Sequence, residues 1–71
     1  MTEEYYWVQI IVKDSDGRLE IDEDKRFDNL KDATAYRQEL INKDIIGYAY
    51  DYYLYIGDKE GEYIKDVNIM R

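Results

Sequence analysis

The chain of 71 residues sets 10 Lys and Arg against 17 Asp and Glu, for a net charge of -7, and holds no Cys, no His and no Pro. One small domain spanning residues 1–71 is therefore expected, with no disulfide framework, no thiolate metal site and no histidine to serve as general base or metal ligand. The acid excess repels phosphate backbones and anionic lipid, so neither nucleic acid nor a membrane is an expected partner, and a basic protein surface is.

Leu, Ile, Val and Phe make up about a quarter of the chain, above the ~20% below which charged chains stay disordered, so a folded domain is expected. Met1 to Glu4 carries two acids where a signal peptide would carry Lys or Arg, and no apolar run approaches the ~20 residues that span a bilayer. A cytoplasmic protein is the resulting expectation.

Tyr5 to Lys13 reads as a strand, with Tyr6, Val8, Ile10 and Val12 on one face and Tyr5, Trp7, Gln9, Ile11 and Lys13 on the other. Asp14-Ser15-Asp16-Gly17 supplies a type I turn closed by a glycine bulge. A second strand runs from Arg18 to about Phe27. Strict alternation places Leu19, Ile21 and Phe27 on one face and Glu20, Asp22 and Asp24 together on the other. The turn also invites a calcium reading, with Glu23 as the distal ligand, but the register puts Val12 where the first ligand belongs. No metal is expected there; the Asp side chains are expected to bond their own backbone.

Asn29 is the expected N-cap of a helix, with Asp32 in its first turn and Leu30, Ala33, Tyr36, Leu40 and Ile41 along one side. Arg37 falls within that stripe, so its stem is expected along the core with its head in water. The helix should end near Asn42 or Lys43. The stretch Phe27 to Ala33, followed by Tyr36 and Leu40, resembles the strand-to-helix passage of many small α+β proteins, including some phage-encoded ones. That resemblance carries no functional residue with it.

From Ile45 to Ile56 the β-branched and aromatic content predicts one long strand. Gly57 to Gly61 is the second turn, and Glu62 to Ile69 is the last strand, with Tyr63, Val67 and Ile69 on one face and Ile64 on the other. The order ββαββ, an α+β fold, implies a four-stranded antiparallel sheet with the helix packed on one face.

One helix covers only one face of such a sheet. The other is expected to present an aromatic patch of Tyr5, Trp7, Tyr53 and Tyr55, beside an acidic surface of Glu20, Asp22 and Asp24. Three readings apply to the patch: cross-strand pairs with wet hydroxyls that stabilise the sheet, an interface with another protein or a second copy in a homodimer, and base stacking, which lacks a basic groove. For the acids the readings are a solvated edge that discourages strand addition, or a docking surface for a basic partner that imitates nucleic acid, as small phage-encoded anti-defence inhibitors do. Catalysis has little to build on. The hydroxyls of Thr2, Ser15 and Thr34 have no histidine to activate them and no glycine-rich phosphate loop is present, so a binding module without enzymatic activity or cofactor is expected.

Overall fold

The computed structural model describes residues 3–67. Strands β1 (Tyr5–Lys13) and β2 (Leu19–Phe27) form a hairpin, helix α1 (Leu30–Lys43) follows, and strands β3 (Asp51–Gly57) and β4 (Tyr63–Asp66) form a second hairpin. The sheet is antiparallel throughout in the order β2-β1-β3-β4, so β1 and β3 are central and β2 is an edge. Because β2 and β3 both run opposite to β1, the chain must travel the length of the sheet between them. The 14 residues of α1 do this, since a helix of that size spans ~21 Å and a seven-residue strand ~23 Å.

The two turns share one hydrogen-bond pattern. Asp14 Oδ1 accepts the N–H groups of Asp16 and Arg18, both at 2.9 Å. In the second turn Asp58 Oδ1 accepts those of Glu60 and Glu62, at 2.8 and 3.0 Å. Gly17 and Gly61 close them at φ 84° and 91°, the left-handed region where glycine carries no Cβ penalty. Asn29 caps α1 as expected, its Oδ1 accepting Asp32 N–H at 2.9 Å. Replacing it with Ala should cost ~1 kcal/mol, read as a fall of ~4–8 °C in Tm for a domain of this size.

The core under the helix is Val8, Ala33 and Leu54, flanked by Tyr6, Phe27, Tyr36, Leu40 and Val67. Of the expected helix stripe, only Ala33 is fully buried, and Leu30 still keeps 38% of its exposure. Arg37 is half-buried within the stripe, and its Nε donates to the Tyr52 carbonyl at 2.6 Å, a tie between the helix and β3 that the sequence reading did not include.

Three expectations about the strands are corrected. The long strand from Ile45 begins only at Asp51, because Asp44 takes the N–H groups of Tyr48 and Ala49 and Gly47 turns the chain at φ 69°. In β2 the register shifts where Ile10 pairs with Glu23 and Ile11 with Ile21, leaving Asp22 as the extra residue of a bulge. Directly paired residues share a face. Leu19 and Ile21 therefore lie with Ile11 and Lys13 on the face away from the helix, while Phe27 packs under it on Tyr36. In β4 a second shift between Ile56 and Gly57 passes over Ile64, so Tyr63 and Val67 part company and Val67 joins the core under the helix. Ile69 lies outside the described residues.

Candidate interaction surface

Cross-strand pairing places the expected aromatic residues on the face opposite the helix: Trp7 faces Tyr55, Gln9 faces Tyr53, and Tyr5 faces Gly57. What the sequence reading missed is that the chain covers this face itself. Trp7 retains 9% of its exposure and Tyr55 only 2%, so the expectation that both are open to solvent is corrected. The cover is the β3–β4 turn. Trp7 Nε1 donates to the Asp58 carbonyl at 2.8 Å, and the Tyr55 hydroxyl donates to the Gly61 carbonyl at 2.6 Å. A methyl group on Gly61 would sit 3.5 Å from Trp7 Cη2, so the turn backbone rests on the indole.

Around this second core the rings stack. Tyr53 and Tyr55 have centroids 5.3 Å apart, Tyr55 and Tyr63 6.1 Å, and Gln9 Nε2 donates to the Tyr55 hydroxyl at 3.3 Å. Arg26 lies over Tyr5 with its guanidinium carbon 4.6 Å from the ring centre. Tyr5 and Tyr53 are half-buried members of the cluster, and their hydroxyls donate to Glu3 and, at 2.8 Å, to Asp66. The cross-strand pairing reading holds for Trp7 and Tyr55, but Tyr53 and Tyr55 stack along one strand, and the hydroxyls of Tyr5, Tyr53 and Tyr55 bond to protein groups where water was expected.

The acids do not form one surface. The bulge sends Glu20 and Glu23 to the helix side, opposite Val12 and Ile10, and Asp24 to the far side, opposite Gln9. The expected shared face of Glu20, Asp22 and Asp24 is corrected, because an extra residue inverts the alternation after it.

Apolar exposure is concentrated elsewhere. Leu19, Ile21, Tyr48 and Tyr50 are all more than half exposed, and Ile45 and Ile46 retain 92% and 89% of their exposure. Topology gathers them at the end of the sheet where β1 finishes and β2 and β3 begin: Lys13 pairs with Leu19, Ile11 with Ile21 and Asp51, and the 45–50 loop runs straight into β3. Tyr50 N–H donates to the Ile11 carbonyl at 2.7 Å, and Lys13 sits over the Tyr50 ring. The sequence signal for this loop was Gly47 inside an otherwise strand-like run.

Asp44 organises the loop. Its carboxylate accepts Tyr48 N–H at 2.6 Å, Ala49 N–H at 3.0 Å and the Tyr52 hydroxyl at 2.7 Å. Hydrogen bonds from Ala49 N–H, then from the Tyr52 hydroxyl and Tyr48 N–H, hold its pKa below the ordinary aspartate value. A lowered carboxylate pKa stabilises the fold above the unfolded value near 4, and that contribution is lost as pH falls from there through the lower folded value. Protection of the Tyr48 and Ala49 amides relative to their intrinsic exchange rates should therefore fall below about pH 4, and an Asp44→Asn variant should show the lower protection already at neutral pH. At the alkaline end, desolvation and then the hydrogen bonds to Asp44 and Asp66 push Tyr52 and Tyr53 up to about 12. Their contribution is complete below the ordinary tyrosine value near 10 and disappears as pH rises from there towards 12, so tyrosinate absorbance and loss of near-UV circular dichroism should appear together in that window.

Between α1, the loop and the β2 bulge lies an open groove of about 340 Å³, lined by Ile10, Leu40 and Tyr52 within and by Asp22, Glu23, Ile46 and Tyr48 at its edges. Among the described residues no group of three or more acidic, histidine or cysteine side chains could hold a metal ion, and no helix is long and apolar enough to cross a membrane. No protein-family model matches the chain, and no curated protein or solved structure is similar to it.

Proposed function

We propose that this chain is a small acidic protein-binding module, with no chemistry of its own, that docks through the end of the sheet carrying the 45–50 loop. The observation that carries this reading is the pair Ile45 and Ile46, almost fully exposed on a loop whose backbone is fixed by Asp44. Adjacent isoleucines in water on a floppy loop would be unremarkable; held on an ordered one beside Tyr48 and Tyr50, they form the kind of apolar centre that protein interfaces use. The acids around it supply the polar rim and favour a basic partner. Imitation of nucleic acid finds less support, because the β2 bulge divides Glu20, Glu23 and Asp24 between two faces.

An Ile45→Ser/Ile46→Ser variant tests the reading. Both side chains are exposed, so its melting temperature should match that of the parent chain. Used as bait beside the parent in host lysate, the variant should lose the proteins that the parent retains. Identical capture by the two would contradict the proposal.

A further inference from the structure

We infer that the groove between α1, the 45–50 loop and the β2 bulge receives an arginine side chain from a basic, apolar segment of a partner protein. The inference rests on the protein-binding reading and names its chemistry. The groove floor is aliphatic and aromatic, with Ile10, Leu40 and Tyr52, and its outer lip is Ile46 and Tyr48. At about 340 Å³ it lies at the small end of the range of ligand pockets, suited to one or two side chains and not to a helix.

Charge selects which side chain. Asp22 and Glu23 stand on the β2 wall. The Tyr48 hydroxyl bonds to Asp22 without neutralising its charge, and among the described residues neither acid takes part in an ion pair; the salt bridges there join Lys43 to Glu39 and Lys65 to Glu4. Lys43, the one cation lining the groove, is held by Glu39 at 2.7 Å, while the Asp44 carboxylate is occupied by Tyr48, Ala49 and Tyr52. The available charge on the wall is thus negative. An arginine meets all three requirements: its methylenes lie on Ile10 and Leu40, its guanidinium reaches Asp22 and Glu23, and its planar head can stack on the Tyr48 ring. A second copy of the chain is a poorer occupant, because two molecules of net charge -7 repel and each would bring its own acids to the same place.

The test uses two synthetic peptides, Leu-Arg-Leu-Arg-Leu amide and the same sequence with citrulline in place of arginine, titrated into the 15N-labelled chain at low salt. The arginine peptide should shift the amides of Asp22, Glu23, Ile46 and Tyr48 saturably, and the uncharged isostere should bind at least about fivefold more weakly. An Asp22→Asn/Glu23→Gln variant, altered only at exposed positions, should melt with the parent and lose the difference between the peptides. Equal binding of the two peptides, shifts centred outside the groove, or concentration-dependent shifts at the groove without peptide would each overturn the inference. Failure here, with the Ile45→Ser/Ile46→Ser variant still losing its captured proteins, would leave protein binding intact and remove only the arginine.

Discussion

Trp7→Ala should destabilise the chain by ~3–5 kcal/mol, as much as or more than Leu54→Ala on the helix side. A 71-residue domain has only ~4–10 kcal/mol of stability in total, so the variant should lose between about a third and all of it. The magnitude follows from position. Trp7 is buried at 9% exposure, its Nε1 is bonded to the Asp58 carbonyl, and the Gly61 backbone lies on its ring. Truncation opens a cavity on the far side of the sheet and leaves that carbonyl without its indole donor, and the β3–β4 turn loses its seat. Thermal melts of Trp7→Ala, Leu54→Ala and Ile45→Ser/Ile46→Ser, run side by side, separate the two sides: the first pair should fall steeply and the last should not move. A Trp7→Ala melt indistinguishable from the parent would mean that the turn does not cover the indole.

The second large effect is expected at Gly57→Ala. Gly57 is the residue opposite Tyr5, at the point where β3 leaves the sheet to form the covering turn. A Cβ there would lie 2.9 Å from the Glu62 carbonyl oxygen, 2.9 Å from Tyr55 Cε2 and 3.0 Å from Trp7 Cδ1. The first of these is backbone and the other two are packed rings, so none can yield cheaply, and the substitution should cost ~1–3 kcal/mol by overpacking. Loss of near-UV circular dichroism from the stacked Tyr53, Tyr55 and Tyr63 should accompany the drop in Tm. Gly17→Ala makes the comparison: Gly17 carries a positive φ, which Gly57 does not, but its Cβ would have only Lys13 Cε nearby, at 3.7 Å. Disruption of the Tyr signals should therefore be confined to Gly57→Ala.

Most of the fold was legible because it is specified locally. Asn29 and Asp32 mark the start of α1, the Asp-x-x-Gly turns mark both hairpins, and β1 alternates without interruption from Tyr5 to Lys13. The faces of β2 were not legible. Leu19, Ile21 and Phe27 all stand at odd positions, so alternation puts them together, and only the pairing with β1 reveals that Asp22 is an extra residue between them. The loop before β3 was hidden by its own composition, because Ile45 to Tyr50 has strand-forming side chains and the feature that overrides them is the carboxylate of Asp44 bonding backbone up to five residues ahead. The candidate site was misplaced for a related reason. Alternation correctly put Trp7 and Tyr55 on the face away from the helix, but a tertiary contact decides whether that face is open, and it depends on Gly57 and Gly61 having no side chain where the turn folds back.

That turn also determines which surface is left for a partner. With the outer face closed at one end, the most exposed apolar residues, Ile45 and Ile46, lie on the 45–50 loop, next to Leu19 and Ile21 at the start of β2. Trp7 is the only tryptophan, so its fluorescence reports on the closure without interference. Acrylamide quenching is the direct measurement, being uncharged and insensitive to the net charge of the chain. A blue-shifted emission, quenched far less than that of free tryptophan amide and becoming fully quenchable in denaturant, is the predicted result. Emission at the wavelength of indole in water, with quenching equal to the free amide in the folded chain, would contradict it and return the aromatic face to solvent.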